Sequence, residues 1–187
     1  ELAVIIQDGL RRMFKEQENV FYYITCMNEN YHHPQMPKNS EAGILRGMYR
    51  LDSNKGKSKV FVHLLGCGTI LREIMEASRI LLDEYDVRSE TWSVTSFNQL
   101  ARDWRDVKRM NVLHQEKPRS DIYVHECLKG DAKAVIAATD YMASYAEQIR
   151  EFVPQSYSVL GTDGFGRSDT RKNLRRFFEV DRYYIVV

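Results

Sequence analysis

The chain has 187 residues, of which 43% are hydrophobic and 28% are charged, and its 27 basic and 26 acidic side chains give a formal net charge of +1. This composition predicts a globular protein with a core of normal size. The balanced charge excludes a general electrostatic attraction to nucleic acid or to a membrane surface, and no apolar run approaches the roughly 20 residues that span a bilayer.

The first 40 residues are predicted to contain one helix, one strand and a linker. Four apolar residues at helical spacing predict an amphipathic helix over residues 3–15: Ile6, Leu10, Met13 and Phe14. The β-branched and aromatic run at 20–25 predicts a buried strand. One helix and one strand cannot enclose a core, so this piece must dock on something else. The polar stretch 28–40 contains two prolines and predicts a linker, with a domain boundary near residue 39.

The two ends of the chain suggest a piece of a larger protein. The sequence opens directly in a helical pattern without an initiator Met, and it stops inside the apolar run 183–187. Natural termini are usually polar and frayed, so we expect that an element has been cut. The alternative is a terminal element that buries its own end.

The middle of the chain alternates between strand and helix patterns. Strands over 47–52 and 59–65 flank a short polar turn, which predicts an antiparallel hairpin. The pattern of residues 70–85 predicts a helix with one apolar face and one charged face. The charged face, expected to be exposed to solvent, consists of Arg72, Glu73, Glu76, Arg79 and Asp83.

The second half of the chain continues this alternation. A strand over 89–95 precedes a helix that begins with a capping box at Ser96, and residues 121–128 are ambiguous between strand and helix. A small strand over 134–138 leads into a helix capped by Thr139 or Asp140, whose apolar stripe continues to Val153. A further strand over 157–161 and a last helix starting at Ser168 follow, with three side chains of that helix expected to point inward: Leu174, Phe177 and Phe178. The pattern predicts a three-layer α/β/α fold with a mostly parallel sheet.

Gly66 and Gly68 lie in a turn between a predicted strand and a predicted helix. Glycines at this place can let a backbone approach a phosphate group. The third glycine of a dinucleotide-binding pattern would fall at Leu71, however, and no acidic residue follows the next strand. We therefore favour a tight turn without a ligand, and a nucleotide-binding module remains the alternative.

The most distinctive string in the sequence is glycine-rich and covers residues 160–169. Its three glycines allow backbone angles that other residues avoid. The string could bind an anion at a helix N-terminus, but a structural turn with Phe165 as an apolar plug is favoured. The residues of this predicted turn are Gly161, Asp163, Gly164, Phe165, Gly166 and Ser168.

A second polar string follows the predicted strand at 20–25, where α/β proteins often place ligands. Adjacent histidines rarely converge on one metal ion, so we favour a cluster of hydrogen bonds between domains over a metal site. The interdomain or substrate-side candidates are Asn28, Glu29, Asn30, Tyr31 and His32.

A basic helix face near the end of the chain is expected to be solvated or to contact an acidic partner. It consists of Arg171, Lys172, Arg175 and Arg176. Three widely spaced cysteines, Cys26, Cys67 and Cys127, are interpreted as free thiols of a reducing compartment, which predicts a cytoplasmic protein. No catalytic triad, carboxylate pair or metal-ligand spacing can be assembled locally.

Several strings resemble one enzyme family, the homodimeric-type pyruvate dehydrogenase decarboxylating component. They are Y-Y-I-T-x-x-N-E-N-Y-H-x-P within 20–37, V-T-S-F at 94–97, A-A-T-D-Y-M at 137–142 and the glycine-rich string at 160–169. The glycine-rich string alone would indicate only the wider transketolase-like superfamily. The resemblance implies a five-stranded sheet with one antiparallel strand. It assigns residues 1–38 to the last helix and strand of a middle, pyrimidine-binding domain plus linker, and residues 39–187 to the C-terminal domain.

The resemblance also implies a function for the longer enzyme. That enzyme decarboxylates pyruvate on thiamin diphosphate anchored by Mg²⁺, works as a homodimer, and passes the acetyl unit to lipoyl groups of dihydrolipoyl acetyltransferase. In this family the magnesium motif lies in the first domain, and the activating glutamate and the active-site histidines lie there or in the part of the middle domain that this chain does not resemble. The chain is therefore expected to bind no cofactor itself and to stabilise the dimer and the contacts between domains. A purely structural partner-docking domain is a further alternative.

Overall fold

The protein is described by a computed structural model that covers residues 1–118 and 120–187. In this part of the chain five strands form one sheet in the order β1-β3-β2-β4-β5. Strand β1 runs antiparallel to β3, and the other neighbouring pairs are parallel. The strands are Met48–Ser53 (β1), Phe61–Cys67 (β2), Arg88–Val94 (β3), Ala134–Ala138 (β4) and Ser156–Leu160 (β5). The prediction of a mostly parallel five-stranded sheet with one antiparallel strand is confirmed.

The helices precede, connect and follow these strands. They are Leu2–Leu10 (α1), Glu41–Arg46 (α2), Leu71–Tyr85 (α3), Phe97–Leu113 (α4), Tyr123–Leu128 (α5), Ala143–Glu147 (α6), Arg171–Phe177 (α7) and Arg182–Val186 (α8). A wider π-helical turn, Arg11–Lys15, continues α1, so the first helix agrees with its prediction. The ambiguous segment 121–128 is helical as α5. Within the described residues, no helix combines the length and the apolar character that crossing a membrane would require.

Strand β2 lies at the centre of the sheet, and both of its faces are covered. Leu65 belongs to the larger core cluster, with Trp92 and Phe97, beside helices α4, α5 and α6. Its neighbour Leu64 belongs to the opposite cluster, with Ile74, beside α3 and α8. A strand buried on both faces reads as a continuous apolar run, which is the pattern of β2 in the sequence. The predicted three-layer arrangement follows from these two clusters.

The predicted hairpin between the first two strands is wrong. Strand β1 pairs with β3, and β2 is parallel to β3 and β4. Asn54, just after β1, fixes this arrangement. Its backbone N–H donates to the Ser89 carbonyl at 3.1 Å, and its Oδ1 accepts from the Ser89 N–H at 3.0 Å. These contacts join residues far apart in sequence, so the shortness of the turn did not decide the pairing.

The predicted strand over residues 20–25 is also wrong, because no strand is found between Arg11–Lys15 and α2 in the described chain. In the described residues, the outer strand β1 pairs with β3 and the outer strand β5 pairs with β4. Neither of them forms backbone hydrogen bonds with residues 20–25. Phe21 and Tyr23 are 86% and 87% exposed instead of buried.

In the second half of the chain, the predicted start of one helix, α4, is confirmed, and the starts of two others differ from their predictions. The Ser96 hydroxyl does cap α4, accepting from the Gln99 N–H at 3.1 Å. Helix α6 begins later than expected, and its first N–H, at Ala143, donates to Asp163 Oδ1 at 3.1 Å instead of to Thr139 or Asp140. Helix α6 is also short: Ile149 and Phe152 are buried beyond its end, the latter in a separate 3₁₀ turn.

The helix predicted to start at Ser168 begins at Arg171, three residues later. Its N-cap is Thr170, whose hydroxyl accepts from the Asn173 N–H, because the chain ahead of Thr170 is still part of the loop that follows β5. Phe177 is 51% exposed. Leu174 and Phe178 are half-buried, so only these two of the three side chains point inward as expected.

Candidate site at the carboxyl edge of the sheet

The carboxyl ends of the central strands meet where the sheet changes direction. The chain passes from β2 to β3 on one side and then returns to β4 on the other side of β2. Ligands of α/β proteins commonly bind at such a switch point, outside the carboxyl ends of the strands. Here Thr69 follows β2 and Asp140 follows β4. These two residues mark the centre of the candidate site.

Asp140 is the titratable residue of this pair. The Thr69 hydroxyl donates to its Oδ2 at 3.4 Å. Burial raises the pKa of the Asp140 carboxyl, and the hydrogen bonds and the charge of Arg175 only partly offset that effect. A carboxyl group whose pKa is raised at a strand end is a common feature of functional sites. The sequence pattern had suggested only a helix cap at this position.

Glu29 lies beside the same edge and contacts three arginines. Its Oε2 lies 2.6 Å from Arg175 Nη2, and its Oε1 lies 3.0 Å from Arg72 Nη1. Arg171 Nε lies 3.6 Å from Oε2. We call Arg72, Arg171 and Arg175 the arginine triad. Arg72 belongs to α3 and the other two belong to α7, so the triad brings together the helices that follow β2 and β5.

Two of the other residues in this polar string also contact the triad. Asn28 accepts from Arg171 Nη2 through its Oδ1 at 2.8 Å. The Arg72 guanidinium lies over the Tyr31 ring, 5.0 Å from its centroid. Asn30 and His32 are exposed side chains. The structure therefore places Asn28, Glu29 and Tyr31 together against α3 and α7 and leaves Asn30 and His32 at the surface.

The sequence pattern predicts Glu73 on the solvent-exposed face of α3, but the structure places it on the buried face. It is 5% exposed, and Arg182 Nε lies 2.8 Å from its Oε2. Burial alone would raise the pKa of the Glu73 carboxyl, but the hydrogen bonds and charge of Arg182, with the charge of Arg175, hold it below the usual value. The signal that could have found it is its spacing, because Glu73 lies four residues before Ala77 and seven before Ile80, which are both buried.

The basic face of α7 is only partly solvated. Arg175 has a side chain that is 14% exposed and lies between Glu29 and Glu73, at 2.6 Å and 3.5 Å. Lys172 and Arg176 are exposed to solvent, as the sequence predicts for this face. The acidic groups that contact this face belong to the same chain.

The glycine-rich string forms the loop between β5 and α7. A Cβ atom at Gly161 would lie 2.4 Å from the Ala143 backbone nitrogen, so this position requires glycine. Gly164 has a φ of +92°, in the region that glycine favours. Asp163 caps α6 across the loop. The expectation that Phe165 plugs the turn is wrong, because its side chain is 96% exposed.

The glycines of the first turn also have structural reasons. A Cβ atom at Gly66 would lie 2.7 Å from Leu71 Cα, so the strand and the helix pack too closely for a side chain. Gly68 has a φ of +59°, which turns the chain into the helix. Close packing accounts for Gly66 and the positive φ accounts for Gly68, and neither reason involves a nucleotide.

No metal centre is visible in residues 1–118 and 120–187, since no three His, Cys, Asp or Glu side chains there are placed to hold one ion. The cysteines Cys26, Cys67 and Cys127 are free thiols.

Two family models match the sequence. Residues 47–181 match the transketolase-like TK C-terminal domain, and residues 1–34 match the pyruvate dehydrogenase E1 component middle domain.

Curated relatives of one type match the whole chain. It is 55% identical to the pyruvate dehydrogenase E1 component of Pseudomonas aeruginosa, over 100% of this chain and 21% of that protein. It is 56% identical to the protein of the same name from Escherichia coli K12, with the same coverage. The chain thus spans about a fifth of the length of these relatives.

Solved transketolase structures share the fold. A transketolase from Pichia stipitis superposes with a TM-score of 0.53 at 16% identity, over 82% of this chain and 19% of that one. The transketolase from Leishmania mexicana gives a TM-score of 0.50 at 19% identity, over 79% and 18%. At this level of identity the likeness extends to the fold alone.

Proposed function

The chain belongs to the transketolase-like C-terminal domain family, in the form found in pyruvate dehydrogenase E1 components, and from this premise we propose that it forms the C-terminal part of a longer enzyme that decarboxylates pyruvate. The observation that carries the proposal is the end-to-end identity to relatives of this one type. The match to the E1 middle domain at residues 1–34 supports it independently.

The longer enzyme would use thiamin diphosphate, anchored by Mg²⁺, to remove carbon dioxide from pyruvate. The acetyl unit would then pass to lipoyl groups of dihydrolipoyl acetyltransferase. We propose that the enzyme is a cytoplasmic homodimer. Its N-terminal domain and most of its middle domain would supply the catalytic residues and the cofactor ligands, and none is assigned to the residues of this chain.

We propose that residues 1–38 complete the middle, pyrimidine-binding domain and that residues 39–187 form the C-terminal domain. The apolar face of α1 supports this division. Leu2, Ile6 and Leu10 are 47%, 50% and 61% exposed, and Phe14 just after them is 81% exposed. A helix with such a stripe normally buries it against another element. The remainder of a middle domain is the partner that the proposal supplies.

The role of this part of the enzyme would be to position the polar string Asn28–His32 beside the active site. Glu29 and Asn28 are held by arginines of α3 and α7. Because α3 is packed on the C-terminal sheet, the string takes its place from that domain. Asn30 and His32 remain free to face another domain. This would make the C-terminal domain a rigid support for the domains that bind the cofactor.

The test compares the intact protein with this 187-residue chain. With thiamin diphosphate and Mg²⁺, the intact protein should release carbon dioxide from pyruvate and acetylate a lipoyl acceptor. Calorimetric titration of the 187-residue chain with the same cofactors, and separately with NADH, should give no binding heat. Saturable cofactor binding by this chain would contradict the domain assignment, and NADH binding would favour a nucleotide module at Gly66 and Gly68. An intact protein without activity on pyruvate would refute the proposed reaction.

A further inference from the structure

We propose that the arginine triad is a binding site for a small polyvalent oxyanion, a carboxylate or a phosphate, and that Glu29 occupies it within the same chain. Three guanidinium groups from two helices converge on the one carboxylate. The planar fork of a guanidinium matches carboxylate and phosphate oxygens equally well. This inference does not depend on the reaction proposed above.

The triad is built on a rigid base. Arg175 is mostly buried and also lies 3.5 Å from Glu73. Glu73 in turn accepts from the backbone N–H of Arg182 at 3.2 Å, which ties the start of α8 to α3. Val180, between α7 and α8, is fully buried against α3 in the same core cluster. The guanidinium groups therefore need little rearrangement to bind an anion, which lowers the cost of binding.

The present occupant is held by side-chain contacts and not by hydrogen bonds between backbone groups. In the described part of the chain, residues 21–36 make no backbone–backbone hydrogen bond. Side chains attach this segment to the rest of the protein, and the contacts at its centre are those of Asn28, Glu29 and Tyr31 with the triad. The segment can therefore leave the triad without breaking a helix or a strand.

Departure of Glu29 would leave the triad with unpaired charge. Among the described residues, Arg72 and Arg171 have no carboxylate within 4.0 Å other than Glu29. Arg175 would keep only its longer contact with Glu73. Because Arg72 and Arg171 are 43% and 49% exposed, an anion from solvent can reach them. An anion with several oxygens could bridge both helices, as Glu29 does now.

Competition with Glu29 has a measurable consequence. A ligand that binds only the open triad has its apparent affinity reduced by the fraction of molecules that are open. Replacing Glu29 by an uncharged residue should remove this reduction. The same anion should then bind the variant more tightly, although no contact to the anion has been added.

The experiment is calorimetric titration of the intact protein with citrate and, separately, with inorganic phosphate at constant ionic strength. We expect Glu29→Gln to bind at least one of them about tenfold more tightly than the unsubstituted protein, because a competing charge-assisted contact has been removed. Glu29→Gln combined with Arg171→Gln should lose that gain. The control is Glu18→Gln, which removes a nearby carboxylate paired with Arg12 instead of the triad, and it should bind as the unsubstituted protein does. Binding of citrate alone would assign a carboxylate ligand, and binding of phosphate alone would assign a phosphate ligand.

A second measurement keeps the proposal testable if a variant folds poorly. Cys26 is exposed whereas Cys67 is buried and Cys127 is half-buried. With any cysteine outside these 187 residues replaced by serine, a nitroxide label can be directed to Cys26, within the segment that carries Glu29. Saturating citrate or phosphate should raise the mobility of this label in the unsubstituted protein, and the effect should be absent in Arg171→Gln. Unchanged affinity in Glu29→Gln, or a label that does not respond to either anion, would overturn the proposal.

Discussion

Arg182 donates to both carboxylate oxygens of Glu73, with its backbone N–H and Nε on Oε2 at 3.2 Å and 2.8 Å and its Nη2 on Oε1 at 3.1 Å. This pair joins the first turn of α3 to the first residue of α8. The Glu73 side chain is almost completely buried, whereas that of Arg182 is one-third exposed. The pair thus fixes the last helix of the chain on the same layer as the arginine triad.

Glu73→Gln should destabilise the protein by about 3 kcal/mol, because removal of one partner leaves the other charge in a partly buried place. Urea unfolding of the variant and of the unsubstituted protein measures the difference. Glu76→Gln is the matched control in the same helix. Glu76 is 39% exposed and lies 3.5 Å from Arg182, so its loss should cost less than about 1 kcal/mol. Equal effects of the two substitutions would show that burial of the Glu73 pair does not matter.

The stability contributed by Glu73 should depend on pH. The pKa of its carboxyl is lowered in the folded protein, since the contacts with Arg182 outweigh burial. This contribution is therefore present above the unfolded value of about 4.3 and is lost as the pH falls through the lowered folded pKa. Unfolding free energies measured between pH 3 and pH 7 should decrease toward acid less steeply in Glu73→Gln. An identical slope in the variant would contradict the assignment.

Asp140 should have the opposite dependence. Burial raises its pKa in the folded protein, so its contribution to stability is present below the unfolded value of about 3.9 and is lost as the pH rises through the folded pKa. Asp140→Asn should remove this loss and make the protein at least as stable at pH 7 as the unsubstituted protein. Such a gain is typical of residues kept for function at the expense of stability. A variant that is clearly less stable at pH 7 would show that the ionised carboxylate is a structural requirement.

The two ends of the glycine-rich loop should respond differently to alanine. Gly161→Ala places a Cβ atom 2.4 Å from the Ala143 backbone nitrogen, and we expect a loss of about 2–3 kcal/mol because the backbone must shift. Gly166→Ala meets no atom within 4 Å and has no positive φ, so it should change stability by less than about 0.5 kcal/mol. Thermal unfolding of both variants tests the contrast. A severe effect at Gly166 would indicate that this part of the loop packs against something else.

A histidine in the sheet should titrate below its usual range. His63 is 1% exposed, and its Nδ1 accepts from Trp92 Nε1 at 3.2 Å. Burial lowers the pKa of His63 despite the charge of Glu90. The unfolded chain therefore binds a proton at His63 more readily than the folded protein does. As a result, the free energy of unfolding decreases as the pH falls below the pKa of the unfolded residue, about 6.5. His63→Asn keeps an acceptor but does not titrate, so its unfolding free energy should change less between pH 7 and pH 5. An NMR titration of the His63 ring gives the direct check.

Local sequence was sufficient for the elements that are defined by their own residues. Strand β4 is a run of five small apolar residues, and its predicted bounds are those observed. Helix α3 has an apolar stripe over four turns, and the Ser96 cap of α4 depends on residues within one turn. The family resemblance likewise depends on short strings, and the comparisons confirm it. Periodicity and capping act over a few residues, which is why sequence reasoning finds them.

The partners of each element were decided by tertiary structure. Strand β1 lies beside β3 because Asn54 meets Ser89, 35 residues away, although a short turn favoured a hairpin with β2. Residues 20–25 have strand-forming side chains but no neighbouring strand among residues 1–118 and 120–187. Glu73 has a charged side chain but is buried, because Arg182 pairs with it. The arginine triad combines one residue of α3 with two residues of α7 about a hundred positions later. Sequence alone located helices α1, α3 and α4 and most of the strands, whereas long-range pairing decided which charges meet, because that depends on contacts between residues that local spacing does not relate.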